Sequence, residues 1–178
     1  MTSHDVCDAG LRWFAVWTRS RQEKTAAATL ESLGVSHFLP LKTEIRQWSD
    51  RTQSIMTPLF SGYLFVRTNL SRDSKLWVLK TPGVVGFVGN SSGPLPIPDE
   101  QIENIRTLLS SGLDYSVCPI LKEGDRVRVI RGALFGVEGS LLRTNSDSWL
   151  VLSVEMIKQS ITVSVSRHDV EPITEQAA

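Results

Sequence analysis

The sequence predicts a two-domain protein, in which an α+β domain with an antiparallel sheet and helices precedes a small all-β barrel. Strand-like and helix-like segments are intermixed through residues 12–111, as in a sheet covered by helices. Residues 112–121 show no periodicity and are interpreted as a linker. Short alternating strands and glycine turns at residues 122–174 predict the barrel, and residues 1–11 are expected to be a disordered tail.

The first domain opens with a strand and a helix. Residues 13–17 (WFAVW) are aromatic and β-branched, which predicts a buried strand. Ala26, Leu30 and Leu33 then recur at helical spacing and predict the buried face of a helix. Gly34 suits the position just beyond the end of that helix.

The rest of the first domain is predicted to contain five strands and two helices. A polar turn at residues 49–52 joins two extended segments, which predicts a hairpin. Ser71 or Asp73 caps a helix that runs to Leu79, and Pro98 opens a last helix with an apolar stripe. The predicted strands cover residues 37–41, 43–48, 53–58, 62–67 and 84–88.

The second domain is predicted from alternation. Val127 and Val129 alternate with arginines, and residues 149–154 and 160–166 follow as two more strands. Four or five strands in about fifty residues suit a closed barrel, because closure removes the unpaired edges.

Charge is unevenly distributed, although the formal net charge of the chain is zero. Residues 12–111 hold 12 Lys and Arg against 8 Asp and Glu, a surplus of four, whereas residues 122–173 hold seven of each. A positive surplus of this size fits contact with a few phosphates and does not fit tight autonomous DNA binding. Ordinary solvated surface charge is the alternative.

No constellation of residues indicates an enzyme, a metal site or a cofactor. His4, His37 and His168 lie far apart, without cysteine or acidic partners at ligand spacing. Asp99 and Glu100 open a predicted helix, where the helix dipole favours carboxylates. The glycine-rich phosphate loops and nucleophile motifs of common enzyme classes are missing from the sequence, so a binding function is predicted.

The cysteines and the hydropathy predict a cytoplasmic protein. Cys7 and Cys118 lack metal-ligand spacing, which favours reduced thiols. No apolar run approaches the roughly 20 residues of a membrane span. The first ten residues lack the basic start and apolar centre of a signal peptide, so no membrane association is expected.

The first domain carries more aromatic side chains than a small core easily encloses, which predicts an exposed protein-binding patch. Burial of most of them in the core is the alternative. Within residues 62–66, Tyr63 and Phe65 point to one face and Leu64 and Val66 to the other, and one face is expected to be core. The ten aromatic residues are Trp13, Phe14, Trp17, Phe38, Trp48, Phe60, Tyr63, Phe65, Trp77 and Phe87.

Four segments in order resemble the NusG/RfaH family of transcription elongation and antitermination factors. They are WFAVWTRSRQEKTAAATLESLG, PLFSGYLFV, TPGVVGFVG and GDRVRVIRGALFGVEG. The resemblance implies an N-terminal NusG domain, a C-terminal KOW barrel and RNA polymerase as partner. The divergent first domain is similar to the specialised paralogues of the family, such as RfaH and the UpxY antiterminators.

The resemblance implies three contacts for the N-terminal domain. An apolar groove grips the clamp helices of the polymerase β′ subunit, and the matching residues are Trp17, Phe60, Tyr63 and Phe87. The following helix contacts the β-subunit gate loop, and its matching residues are Ser74, Lys75, Leu76 and Trp77, where RfaH carries a polar His-Thr-Thr-Thr run. Basic positions that approach the non-template DNA strand match Arg19, Arg21 and Lys24, with solvated surface charge as the alternative.

In the KOW domain, an apolar loop between glycines is the candidate partner site, because apolar side chains are unusual in a turn. The family uses this loop and the last turn to bind the small-subunit ribosomal protein NusE or the terminator Rho. An arginine replaces the phenylalanine of NusG in the last turn, which weakens the case for Rho more than for NusE. The candidate residues are Leu134, Phe135, Val137 and Arg167.

The predicted function is a bacterial transcription elongation or antitermination factor that acts as a monomer. Its first domain favours a closed, pause-resistant polymerase clamp, and its KOW domain recruits a ribosomal protein or another factor. One alternative is an RNA-binding, KOW-containing ribosome-associated protein, which requires basic loops on the barrel. The other alternative is an enzyme that uses Glu100 or His168, which requires further catalytic residues around them.

Overall fold

The computed structural model describes residues 10–47, 51–121, 124–143 and 147–173. The chain divides into two compact units, Met1–Asp99 and Glu100–Ala178. This division falls before the last helix, whereas the sequence analysis placed the domain boundary after it. Of the predicted tail, residues 1–9 lie outside the described residues, as does Trp48.

The described residues of the first unit form two helices and three antiparallel sheets. Its elements are β1 Arg12–Thr18, α1 Glu23–Ser32, β2 His37–Phe38, β3 Leu41–Gln47, β4 Thr52–Pro58, β5 Tyr63–Thr68, α2 Arg72–Lys80, β6 Val84–Phe87, β7 Gly89–Asn90, β8 Gly93–Pro94 and β9 Pro96–Ile97. The main sheet has the order β2-β5-β1-β6, and β9 also pairs with β1. The other two sheets are the predicted β3–β4 hairpin and a short β7–β8 ribbon.

One face of the β1–β5 pair forms a core with α1 and α2. Ala26 and Leu30 of α1 are buried there, which confirms the predicted helix face. Leu33 is exposed instead, because α1 ends at Ser32 and Gly34 then turns the chain with a φ of 70°. In β5 the residues on both faces are buried, so the prediction of a single core face was incomplete.

The second unit contains a helix and a six-stranded antiparallel sheet. Its elements are α3 Asp99–Ser111, which begins at the last residue of the first unit, β10 Tyr115–Pro119, β11 Asp125–Val129, β12 Glu138–Arg143, β13 Ser148–Val154, β14 Gln159–Ser164 and β15 Val170–Pro172. The strand order is β10-β14-β13-β12-β11-β15, and alternate residues of β11 and β14 supply the core. Closure of this sheet into a barrel stays a prediction.

The predicted linker contains the edge strand of this sheet. Strand β10 pairs with β14 from Tyr115 opposite Val163 to Pro119 opposite Gln159. Beyond it, the Leu121 N–H donates to Ser160 Oγ at 3.0 Å, and Ser153 Oγ donates to the Leu121 carbonyl at 3.2 Å. The expectation of a linker without structure over residues 112–121 is therefore wrong for most of the segment.

Candidate protein and nucleic-acid contact surfaces

An exposed tryptophan lies near the end of strand β1. Trp17 lies directly opposite Tyr63 of β5 and opposite Gly86 of β6. Directly opposed residues of antiparallel strands share a face, so Trp17 and Tyr63 lie on the same face of the sheet, here named the Trp17–Tyr63 surface. The Trp17 side chain is 49% exposed, Tyr63 is half-buried, and Gly86 has no side chain beside them. An indole of this exposure provides a large, rigid apolar contact.

Of the two other residues predicted for the same groove, Phe60 is buried and Phe87 is partly buried against the core. Phe60 is 2% exposed and packs edge-on against Phe65, with ring centroids 6.1 Å apart. Phe87 lies opposite Val16, on the other face of the sheet from Trp17, and packs edge-on against Phe14 at 6.2 Å. The expectation of a single exposed groove lined by all four residues is therefore wrong. Strand register assigns Phe87 to the other face of the sheet, and Phe60 is buried in the turn before β5.

The segment between β1 and α1 carries two of the predicted basic residues on a braced backbone. The Arg19 N–H donates to the Gly83 carbonyl at 2.8 Å, and the Gln22 N–H donates to the Arg19 carbonyl at 3.0 Å. A side chain at Gly83 would place its Cβ 2.7 Å from Gln22 Cβ, so this close approach requires glycine. Arg19 and Arg21 are exposed, and Arg21 has a left-handed φ of 63°.

Lys24 differs from the two arginines, because its ammonium is engaged within the unit. Its Nζ donates to the Met56 carbonyl on β4 at 2.6 Å, which ties the first turn of α1 to the β3–β4 hairpin. The bond occupies one of the three donors of the ammonium group, so contact with a phosphate competes with this internal role.

Glu23 is a buried carboxylate that the sequence analysis did not identify. It is the first residue of α1, is 4% exposed, and accepts a 2.8 Å hydrogen bond from the Gly62 N–H. The Gly62 carbonyl in turn accepts from the Thr18 N–H at 2.9 Å. Glu23 therefore joins α1 to the turn before Tyr63. In the sequence it resembles any acid in the first turn of a helix, so no local pattern distinguishes it.

Helix α2 carries the residues predicted for the gate-loop contact. Ser71 caps it by accepting a hydrogen bond from the Ser74 N–H at 3.3 Å, which confirms the first of the two predicted caps. Ser74 is half-buried, whereas Lys75, Leu76 and Trp77 are exposed. The exposed side of this helix is consequently apolar and basic.

In the second unit, the apolar loop presents one side chain. Phe135 is 71% exposed, whereas Leu134 and Val137 are each 2% exposed. The Phe135 N–H donates to the Gly132 carbonyl at 3.1 Å, and the Val137 N–H donates to the Leu134 carbonyl at 3.0 Å. The expectation that Leu134 and Val137 are exposed contact residues is wrong. Their side chains are buried and hold the loop against the rest of the unit.

The last turn meets the same end of β11 as this loop. The Gly136 N–H donates to the Val129 carbonyl at 2.8 Å, and the Ile130 N–H donates to the Asp169 carbonyl at 2.8 Å. Arg167 lies in this turn, is exposed, and donates from Nε to Ser148 Oγ at 3.1 Å. The structure thus brings the predicted loop and the predicted turn to neighbouring positions.

Glu138 engages two arginines on the exposed face of the second sheet. Arg126 and Arg128 on β11 both pair with the Glu138 carboxylate on β12. The hydrogen bond from Arg128 lowers the pKa of Glu138 and raises the pKa of Arg128. An RNA-binding surface requires exposed positive charge. The charges of Arg126 and Arg128 are partly neutralised by Glu138 within the unit.

Among the described residues, no group of three histidine, cysteine or acidic side chains is arranged to hold a metal ion. Cys118 is a half-buried free thiol, and burial raises its pKa. In the part of the chain that the structure describes, no helix is long and apolar enough to cross a membrane.

A family of known proteins matches more than half of the chain. The family is described as "Transcription termination factor nusG" and matches residues 11–106 of the 178. Its match covers the Trp17–Tyr63 surface, the basic segment and α2.

Individual relatives extend the similarity into the second unit. The "Transcription termination/antitermination protein NusG" of Lactococcus lactis is 31% identical over 143 residues, covering 76% of this chain and 74% of the relative. The protein of the same name from Streptococcus pyogenes serotype M1 is 34% identical over 156 residues, covering 80% and 85%. The one from Staphylococcus aureus is 27% identical over 176 residues, covering 91% and 96%. These names describe transcription factors and not enzymes.

A solved structure shares the fold. It is titled "Domain interaction in Thermotoga maritima NusG", has a TM-score of 0.52 and 22% sequence identity, and covers 92% of this chain and 98% of that chain.

Proposed function

Because the chain belongs to the NusG family of transcription termination and antitermination factors, we propose that it binds the clamp helices of RNA polymerase and suppresses pausing or termination. The Trp17–Tyr63 surface is the proposed clamp contact. The observation that carries the proposal is the exposure of Trp17, which lies near the end of β1 and opposite Tyr63. Tryptophan and tyrosine are enriched among residues that dominate binding energy, and an exposed aromatic face suits the apolar side of a helix.

The basic segment extends the proposed contact to nucleic acid. Arg19 and Arg21 follow Trp17 within four residues and are both exposed, so a partner bound at Trp17 leaves nearby guanidinium groups available to nucleic acid. Guanidinium groups bind phosphate and stack on unpaired bases, which suits the non-template DNA strand. Lys24 has a supporting role in this proposal, because its ammonium holds the hairpin.

The second unit is proposed to be a KOW domain that recruits the small-subunit ribosomal protein NusE or another factor. Phe135 supports this, because an aromatic ring held in the open by a bonded turn gains nothing from its own unit. Arg167 in the neighbouring turn adds a basic group to the same end. An RNA-binding role is not favoured, since Glu138 engages Arg126 and Arg128.

No chemistry is required for this activity. A factor that binds an elongation-competent polymerase more tightly than a paused one shifts the equilibrium by the difference in affinity. Assignment to the specialised, operon-specific paralogues and a contact of residues 74–77 with the β gate loop are parts of the proposal. So is the independent folding of the two predicted domains, the second taken together with its edge strand β10.

The test is substitution of Trp17 in the full chain. We expect Trp17→Ala to weaken polymerase binding by at least about 2 kcal/mol and to abolish read-through of a paused template in vitro. The matched control is Leu33→Ala, because Leu33 has a similar exposure of 48% at the end of α1. A folded Trp17→Ala variant that binds and acts like the parent would overturn the proposed clamp contact.

A further inference from the structure

A surface groove with a volume of about 360 Å³ lies beside helix α1. One wall is the side of α1 that carries Lys24, Ala28 and Glu31, which recur at the helical spacing i, i+4 and i+7. The other wall begins with strand β2 and continues to the start of β3. Apart from three polar side chains the lining is apolar, and it consists of Ala27, Ala28, Phe38, Leu39 and Leu41. An apolar lining with a few polar groups is typical of binding sites.

The two ends of the groove carry opposite charges. Lys24 and Glu31 are seven residues apart on one side of α1, which is roughly 10 Å at 1.5 Å per residue. Lys24 marks the end beside the β3–β4 hairpin, because its Nζ donates to the Met56 carbonyl at 2.6 Å, and that bond uses one of its three donors. The Glu31 carboxylate at the other end is exposed and has no ion pair within the part of the chain that the structure describes.

His37 adds a second acceptor to the Glu31 end. Its Nδ1 lies 3.1 Å from the Val35 carbonyl, and a carbonyl only accepts, so Nδ1 carries a hydrogen and Nε2 is left as an acceptor in the neutral ring. The Val35 N–H donates to the Leu30 carbonyl at 2.9 Å, which holds this stretch beside the last turn of α1. Two acceptors at one end suit a cationic side chain, whereas the ammonium of Lys24 at the other end suits a carboxylate.

The backbone of His37 is also available to a partner. Strand β2 is the end strand in the order of the main sheet, and the Arg67 N–H of β5 donates to the Ser36 carbonyl at 2.8 Å. Bonded and non-bonded pairs alternate in an antiparallel ladder, so the next pair, His37 opposite Val66, is a non-bonded one. The N–H and the carbonyl of His37 therefore point away from β5, toward the outer edge of the sheet.

We propose that this groove binds an extended segment of a partner protein that carries an acidic, an apolar and a basic side chain at alternate positions. Alternate residues of an extended chain share a face, and five residues span roughly 13 Å, a distance that the long side chains of Lys24 and Glu31 accommodate. The acid pairs with Lys24, the apolar side chain packs on the lining, and the base pairs with Glu31 and His37. Backbone bonds to His37 add affinity without depending on sequence. This binding is additional to the proposed function, because the Trp17–Tyr63 surface contributes no residue to the groove.

Other occupants fit less well. A nucleic acid or an anionic membrane gains one cation in the groove, Lys24, and its phosphates are repelled by Glu31. In a symmetric pair of copies the groove of one molecule faces the groove of the other, and two concave surfaces leave each other's apolar lining unfilled. An extended chain fills the groove and satisfies both charged ends.

The experiment measures binding of labelled, amidated heptapeptides to the full chain by fluorescence anisotropy. The test peptide has the order Ser-Glu-Thr-Leu-Thr-Lys-Ser, and two controls carry glutamate or lysine at both charged positions. We expect the test peptide to bind at least about tenfold more tightly than either control at low salt. This preference should shrink as salt rises.

Charge reversal at one end of the groove sharpens the test. In Glu31→Lys the preference should move to the peptide with two glutamates, because both ends of the groove are then cationic. Glu155→Lys, at an exposed glutamate of the second unit, is the matched control and should leave the preference unchanged. Circular dichroism checks that both variants are folded.

Two results would overturn the proposal. One is equal affinity for the three peptides, or a preference that Glu31→Lys does not alter. The other is self-association of the parent chain in sedimentation that Glu31→Lys abolishes, which would assign the groove to a second copy. Trp17→Ala should leave peptide binding unchanged, so the clamp contact and the groove can fail separately.

Discussion

Trp17 and Phe135 are both exposed aromatic residues, but different structures hold them in place. Trp17 lies in a strand between two hydrogen-bonded neighbours, so its position depends on the register of the whole first sheet. Phe135 lies in a turn that closes on itself through bonds from Phe135 to Gly132 and from Val137 to Leu134. Beside each exposed ring in the chain lies a buried apolar residue, Val16 in the strand and Leu134 in the turn. The comparison teaches that the exposed residue available to a partner and the buried residue beside it have separate roles. Substitution of the first should weaken binding, and substitution of the second should lower the free energy of unfolding.

The largest expected effect distinguishes Phe60 from Trp17. Phe60→Ala removes a buried ring that packs on Phe65, so the free energy of unfolding of the first unit should fall by about 3–5 kcal/mol. The same substitution at Trp17 should cost less than about 1 kcal/mol, because nearly half of that side chain is already in water. Urea unfolding followed by circular dichroism measures both. Similar losses for the two variants would contradict the assignment of Phe60 to the core and of Trp17 to the surface.

A second comparison applies the same test to the second unit. Leu134→Ala should lower the free energy of unfolding by about 2–5 kcal/mol, because the side chain is buried beneath the loop. Phe135→Ser should change it by less than about 1 kcal/mol but abolish capture of the ribosomal partner. Amide hydrogen exchange in β11 and β12 reports the stability, and a pull-down with the purified ribosomal protein reports the capture. If Phe135→Ser melts the sheet, Phe135 is part of the core.

The smallest effect concerns Glu138, which stabilises the second unit through Arg126 and Arg128. Its pKa is lowered in the folded chain, so its contribution is present near neutral pH and is lost as pH falls through the lowered pKa. Glu138→Gln should therefore be less stable than the parent by under about 1 kcal/mol at pH 7. The difference should shrink as the solution is acidified below the ordinary pKa range of a glutamate. Urea unfolding over that range measures it, and a difference that grows on acidification would show that the sign is wrong.

Local patterns predicted most of the elements but not which aromatic residues are exposed. Periodicity identifies α1, and β-branched and aromatic runs identify β1 and β5, because these signals lie within a few neighbouring residues. The face that Phe87 occupies depends on strand register, and a shift of one residue exchanges the two faces of a strand. Burial of Phe60 depends on its packing against Phe65. Strand β10 was read as linker because its partner β14 lies some forty residues further along the chain.

The site residues also divide into those that local patterns predict and those whose positions depend on distant parts of the chain. Phe135 was predicted correctly as exposed, since a glycine-bounded turn gives a large ring little to pack against. Leu134 and Val137 have the same local environment in sequence, and their burial follows from β11 and the hydrogen bonds that hold the loop against it. Glu23 was missed because its partner, Gly62, is 39 residues away.

The Glu23 bond has a consequence for conformational entropy. Glu23 holds Gly62, Gly62 holds Thr18, and Arg19 is bonded to Gly83, so the backbone between Trp17 and α1 is ordered before any ligand arrives. Ordering a free loop opposes binding by roughly 1–2 kcal/mol per residue. The fold has already ordered this segment, so a partner that contacts Trp17, Arg19 and Arg21 together meets a rigid surface. Its binding free energy is then reduced mainly by the immobilisation of its own groups.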